Sequence, residues 1–174
     1  MKMSDTREIN ADPATVYAAL LDADMLKACV PGAQEVTGSP AEGYTATVVQ
    51  KVGPVKATFK GAVTMSDMVE NEKLTITGEG KGGAAGFAKG GAEVTLSPSD
   101  SGGTLLSYDV EAKVGGKLAQ LGSRLIDGFA KKMADQFFSN FVNEIEGPGE
   151  ESAGDDGEDA KKKTGWLGRV TGRG

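Results

Sequence analysis

From Gly43 to Val114, apolar and polar side chains alternate with a period of two. Tyr44, Ala46 and Val48 stand against Thr45, Thr47 and Val49. Beyond a Gly53-Pro54 turn, Val55, Ala57, Phe59, Gly61, Val63 and Met65 stand against Lys56, Thr58, Lys60, Ala62 and Thr64. Leu74 and Ile76 follow, then Val94 and Leu96. Leu106, Tyr108, Val110, Ala112 and Val114 then alternate with Ser107, Asp109, Glu111 and Lys113. This alternation, punctuated by turn residues at Glu70-Asn71 and from Ser97 to Gly103, predicts antiparallel strands with one wet and one apolar face.

After Gly116 the period lengthens. Leu118, Leu121, Leu125, Phe129, Met133, Phe137, Phe141 and Ile145 recur every three or four residues, with Lys117, Arg124, Lys131, Asp135 and Asn143 on other faces. The pattern predicts one helix to about Glu146, roughly 30 residues and ~45 Å long, stopped by Gly147-Pro148. Upstream, residues 2–9 fit a strand. Asp12-Pro13 supplies an N-cap and a first helical residue for a short helix carrying Val16, Tyr17 and Leu20. A second short helix runs from Ala23 to Cys29 and ends at Pro31-Gly32. The predicted order is a strand, two short helices, six strands and one long helix. The apolar stripe of that helix has one available cover, the apolar face of the sheet. The fold class is therefore α+β, a helix-grip arrangement with a curved antiparallel sheet wrapped around a long C-terminal helix and an apolar cavity between them.

Composition sharpens this picture. Glycine makes up 26 of 174 residues, about twice its usual ~7% share, so the interior is under-filled by its own side chains. There is no histidine, which removes serine or cysteine triads and imidazole-based metal sites. Cys29 is the single cysteine, which fits a reducing cytoplasm. No apolar run approaches the ~20 residues of a membrane span, and no apolar stretch follows the N-terminus as in a secretory signal. The net charge of −6 is unevenly spread. Residues 1–146 carry 14 basic and 19 acidic side chains and read as one folded domain. Residues 147–160 carry six acids and no base, and read as a disordered linker. An acidic body argues against nucleic acid as a partner.

Residues 161–174 reverse the sign. Lys161, Lys162, Lys163, Arg169 and Arg173 surround Trp166, Leu167 and Val170. Basic side chains are drawn to anionic lipid and Trp to the headgroup level, so this tail is expected to dock on a membrane or a partner. The segment Gly78 to Gly83 matches GxGxxG, but another strand follows where a dinucleotide site needs a helix. The wider stretch from Gly78 to Gly91 reads either as a floppy hairpin connection or as a flexible lid carrying Phe87.

The blocks KVGPVKATFKGAV (51–63), GEGKGGAAGFAKGGAEVTL (78–96) and VGGKLAQLGSRLIDGFAKKMADQFF (114–138), with ACVPGAQE (28–35), closely resemble the G-subunit family of carbon monoxide dehydrogenase. That family belongs to the START-like, polyketide-cyclase and lipid-transport superfamily. The resemblance spans roughly residues 1–146 and implies a helix-grip (START-like) fold. It also implies an accessory, non-catalytic role beside the molybdenum-containing carbon monoxide dehydrogenase complex. The expected ligand is a quinone, menaquinone or ubiquinone, carried as cargo with no cofactor of the protein's own. The expected place is the cytoplasm, peripherally at the inner face of the cytoplasmic membrane. No catalytic residues carry over. The expected cavity wall is Val30, Tyr44, Phe59, Val63, Ile76, Tyr108, Leu121, Leu125, Phe129 and Met133, with Phe87 at the mouth and Arg124 beside a polar head group. A cyclase-type enzyme and a ligand-free adaptor are the rival expectations.

Overall fold

The computed structural model describes residues 1–147. The expected tail over 161–174 lies outside the described residues, as does the acidic linker apart from Gly147. Strand β1 (Lys2–Ile9) leads to helices α1 (Pro13–Leu20) and α2 (Ala23–Cys29). Six strands follow: β2 (Ala33–Ser39), β3 (Gly43–Val52), β4 (Val55–Val69), β5 (Lys73–Lys81), β6 (Phe87–Pro98) and β7 (Thr104–Gly115). Helix α3 (Ser123–Glu146) closes the domain. The strands form one antiparallel sheet in the order β1-β7-β6-β5-β4-β3-β2. Asp12 caps α1 by accepting from the Thr15 amide at 3.0 Å, and Pro13 opens it.

Two sequence expectations are corrected here. The long helix is shorter than its apolar period, because Gly116–Leu121 is a 3₁₀ turn and Gly122, at φ +93°, breaks the path before α3 begins. The glycine-rich stretch is neither floppy nor a lid. Gly78 pairs with Gly90 and Gly80 with Ala88 inside the β5–β6 hairpin, and only residues 82–86 connect the strands. A Cβ on Gly90 would fall 2.2 Å from the Glu111 carbonyl oxygen, so glycine here permits a close backbone approach within the sheet.

The buried core sits at one end. Ile9, Val16, Met25, Leu74, Leu106 and Phe141 are its most enclosed side chains, and Tyr108 stacks on Phe138 at 5.3 Å. A smaller cluster of Val52, Leu118 and Ile126 lies at the other end. Among the described residues, side-chain hydrogen bonds tie α3 to the rest of the domain over the first region only. Arg7 Nη2 donates to Asp135 Oδ1 at 2.7 Å and to the Tyr108 hydroxyl at 3.3 Å, and its guanidinium lies over the Phe138 ring. Asn140 Nδ2 donates to the Cys29 carbonyl at 2.9 Å, and the Asn10 amide to Glu146 Oε2 at 2.8 Å. Before Asp135, α3 rests on the sheet through apolar contact.

The rotation of α3 also differs from the apolar run. Residues spaced by four advance 400°, so each step drifts 40° around a 100°-per-residue helix. A run from Leu125 to Ile145 therefore cannot stay on one face. Ile126, Phe141 and Ile145 are buried, and Leu125 is 39% exposed. Phe141→Ala should cost about 3–5 kcal/mol, and Leu125→Ala less than about 1 kcal/mol. Urea denaturation of the two variants checks this; comparable losses would place Leu125 on the buried face after all.

Candidate ligand cavity

The sheet register grades side-chain volume along the buried face. One row across five strands is Ala46, Gly61, Gly80, Ala88 and Val114. The next is Tyr44, Val63, Gly78, Gly90 and Ala112. Further along come Met65, Ile76, Ala92 and Val110, then Leu74, Val94 and Tyr108. The helix above repeats the trend, with Ala130 and Ala134 over the small rows and Phe137, Phe138 and Phe141 over the large ones. A straight helix cannot follow such a gradient down, so a hollow opens over the small rows.

That hollow has a volume of about 460 Å³. Its walls are Val30 and Pro31 after α2, Val48, Gln50 and Val52 on β3, Phe59 on β4, Ala88 on β6, Val110, Ala112 and Val114 on β7, and Ile126, Phe129, Ala130, Met133, Ala134 and Phe137 on α3. Gln50 is the only polar side chain among them, and its amide donates to the Pro31 carbonyl. The space is suited to an apolar ligand. An adjoining hollow of about 340 Å³ shares Met1, Ala112, Val114 and Ile126 and is edged by Lys113, Ser123 and Asp127, which makes it the mouth. A hollow of about 550 Å³ on the solvent side of the sheet is bordered by Glu79, Lys89, Glu111 and Lys113; such walls do not suit an apolar ligand.

Of the expected wall residues, Val30, Phe59, Phe129 and Met133 meet at this cavity. Val63 lies on the inward face but outside the lining, and Ile76 packs against the main core. Tyr108 is taken up by Phe138 and Arg7. Tyr44 is buried, with its hydroxyl donating to the Leu21 carbonyl at 2.6 Å. Leu121 packs on the smaller cluster. Leu125 lies against the Gly53 turn, and Arg124 is exposed. Phe87 faces solvent against Gly115, away from the cavity. The rotation of α3 and its start at Ser123 put Leu121, Arg124 and Leu125 outside, and strand alternation does the same for Phe87. The sequence reading missed Ile126, Ala130 and Ala134 on α3 and Ala88, Ala112 and Gly80 beneath. Alanines four apart on the helix and small residues at inward strand positions were the available signals.

The lining has no titratable side chain. No group of three or more potential metal ligands occurs among the described residues. No described helix is long and apolar enough to cross a membrane.

A curved seven-stranded antiparallel sheet closed by a C-terminal helix over an apolar cavity defines a START-like domain. Solved structures share its fold. A START superfamily protein from Mycobacterium smegmatis superposes with a TM-score of 0.62 at 15% identity, over 83% of this chain and 97% of that one. A conserved protein from Geobacillus kaustophilus gives 0.77 at 25% identity, over 83% and 94%. A protein from Chromobacterium violaceum gives 0.59 at 19%, over 82% and 95%. No curated protein matches the chain in sequence. The family model of the carbon monoxide dehydrogenase G-subunit (CoxG) matches residues 6–146, and the chain belongs to that family.

Burial, reinforced by Asp22, pushes the Tyr44 phenol up to about 12. An unfolded tyrosine gives up its proton near pH 10. Between these values the unfolded chain has lost a proton that the folded chain keeps, so stability falls as pH rises from about 10 to about 12. Thermal melts across this window should show the fall, and Tyr44→Phe should flatten it. An identical profile in the variant would mean that the phenol titrates normally.

Proposed function

We propose that the protein is a non-catalytic carrier. It holds a quinone-like lipid, menaquinone or ubiquinone, in the α3–sheet cavity and links carbon monoxide dehydrogenase to the inner face of the cytoplasmic membrane. The observation that carries this reading is a cavity of about 460 Å³ whose walls offer one polar side chain, itself hydrogen-bonded. Exposing a prenyl chain to water costs about 0.8 kcal/mol per CH₂, and this wall removes that cost without supplying an acid, base or nucleophile from a side chain. Membership of the CoxG family supports the enzyme as the partner. The basic tail from Lys161 to Arg173 supports a reversible membrane contact, since three apolar residues anchor only shallowly.

Organic extraction and mass spectrometry of the purified full-length protein test the reading. A stoichiometric isoprenoid quinone is expected. Phe129→Asp places a charge in the wall, which costs several kcal/mol unless it is paired, and should reduce retained lipid to a trace. A folded Phe129→Asp protein carrying normal amounts of lipid would move the site elsewhere.

Removing residues 161–174 should weaken co-sedimentation with anionic vesicles. Five basic residues at about 1 kcal/mol each, reduced by screening, set the upper limit of that effect. Equal binding with and without the tail, at low and at high salt, would exclude it as a membrane contact.

A further inference from the structure

Three pairs of lysines face each other directly across neighbouring strands. Lys51 stands opposite Lys56, Lys60 opposite Lys81, and Lys89 opposite Lys113, all exposed on the solvent side of the sheet. Like charges in directly opposed positions destabilise a sheet. Among the described residues, ion pairs join Arg7 to Asp5 and Asp135, and Lys131 to Asp135; none involves these lysines. Glu79 stands opposite Lys89 on its other side, while the other two pairs have no acidic neighbour in register, and an external anionic surface would relieve their repulsion.

The lysines mark one end of the domain. Lys117 and Arg124 continue the positive charge past β7. Against these eight basic side chains, the same rows and rim carry Glu35, Glu79 and Asp127. The remainder of residues 1–146 carries six basic and sixteen acidic side chains, so the domain is polarised. Two exposed large apolar side chains sit within the positive end. Phe87 shares the row of Lys60 and Lys81, and Leu125 follows Arg124. Lys113 also edges the cavity mouth.

We propose that this end of the folded domain docks on an anionic lipid bilayer, independently of the tail. The proposal rests on the carrier reading. A broad surface fits better than a point anion, because the lysines are spread over five strands, each ~4.8 Å from the next. A bilayer fits better than an acidic protein face, because Phe87 and Leu125 need an apolar layer beneath the charged one.

The test is binding of the full-length protein to vesicles of phosphatidylglycerol and phosphatidylcholine in equal parts. Each basic side chain near such a surface contributes roughly a five-fold factor before screening. Lys60→Gln with Lys81→Gln should therefore bind on the order of tenfold more weakly, with the difference vanishing at high salt. Thermal melts should show the variant at least as stable as the parent, since a repulsive pair is removed. Lys73→Gln, paired with Thr95 at the other end of the sheet, should leave binding unchanged. Unaltered binding by the first variant, or an equal loss in the second, overturns the proposal. So does complete loss of binding when Lys161, Lys162, Lys163, Arg169 and Arg173 are all replaced by Gln. Lysine-dependent binding to polyglutamate with none to vesicles marks a protein partner and overturns it too. Extraction of the same samples tests the carrier reading separately: absence of lipid sinks that reading and leaves the vesicle result to decide this one.

Discussion

One helix must cover a face whose side chains shrink from the main core to the small rows beneath its N-terminal half. That mismatch governs the rest of the molecule. Where Leu74, Val94, Tyr108 and Phe141 meet, helix and sheet make ordinary core. Where Gly80, Ala88 and Ala112 lie under Ala130 and Ala134, the same straight helix leaves a cavity. Filling that end with larger side chains would tighten the packing and remove the site. The small residues thus keep the cavity open at the expense of packing.

The polar contacts follow the same division. Arg7, Asn140 and Glu146 tie α3 down over the filled end. The Arg7 guanidinium, with help from Lys131, also holds the Asp135 carboxyl below its usual range. Over the cavity, contacts are apolar and non-directional, which lets a ligand replace side-chain contacts without breaking hydrogen bonds. Tyr44 lies just beyond the lining and spends its hydroxyl on the Leu21 carbonyl, so even this neighbour presents no free donor to the ligand.

Much of the fold was legible because two periods differ so clearly. Alternation over 43–114 marked the strands from β3 to β7, and the three-to-four spacing marked α3. Strand β2, at Ala33–Ser39, lies outside that alternating span. Glycine carries no hydropathy signal, so the stretch from Gly78 to Gly91 concealed paired strands. The cavity was legible as a consequence of architecture, but its wall was not. Wall membership depends on strand register and on the rotation of α3. A slip of one residue, Leu125 for Ile126, separates an exposed position from a buried one. Arg7 illustrates the same limit: its partners Asp135 and Tyr108 are more than 100 residues away in the chain, and no local pattern announces them.

The one-sided fastening of α3 makes it a lever. Asp135 is twelve residues from Ser123, an arm of about 18 Å at 1.5 Å per residue. A tilt of roughly 10° about the fastened end would raise the Ser123 end by ~3 Å on that arm, close to the thickness of a flat aromatic ring. Such a tilt would part the small cluster of Val52, Leu118 and Ile126 and leave the core beyond the fulcrum packed.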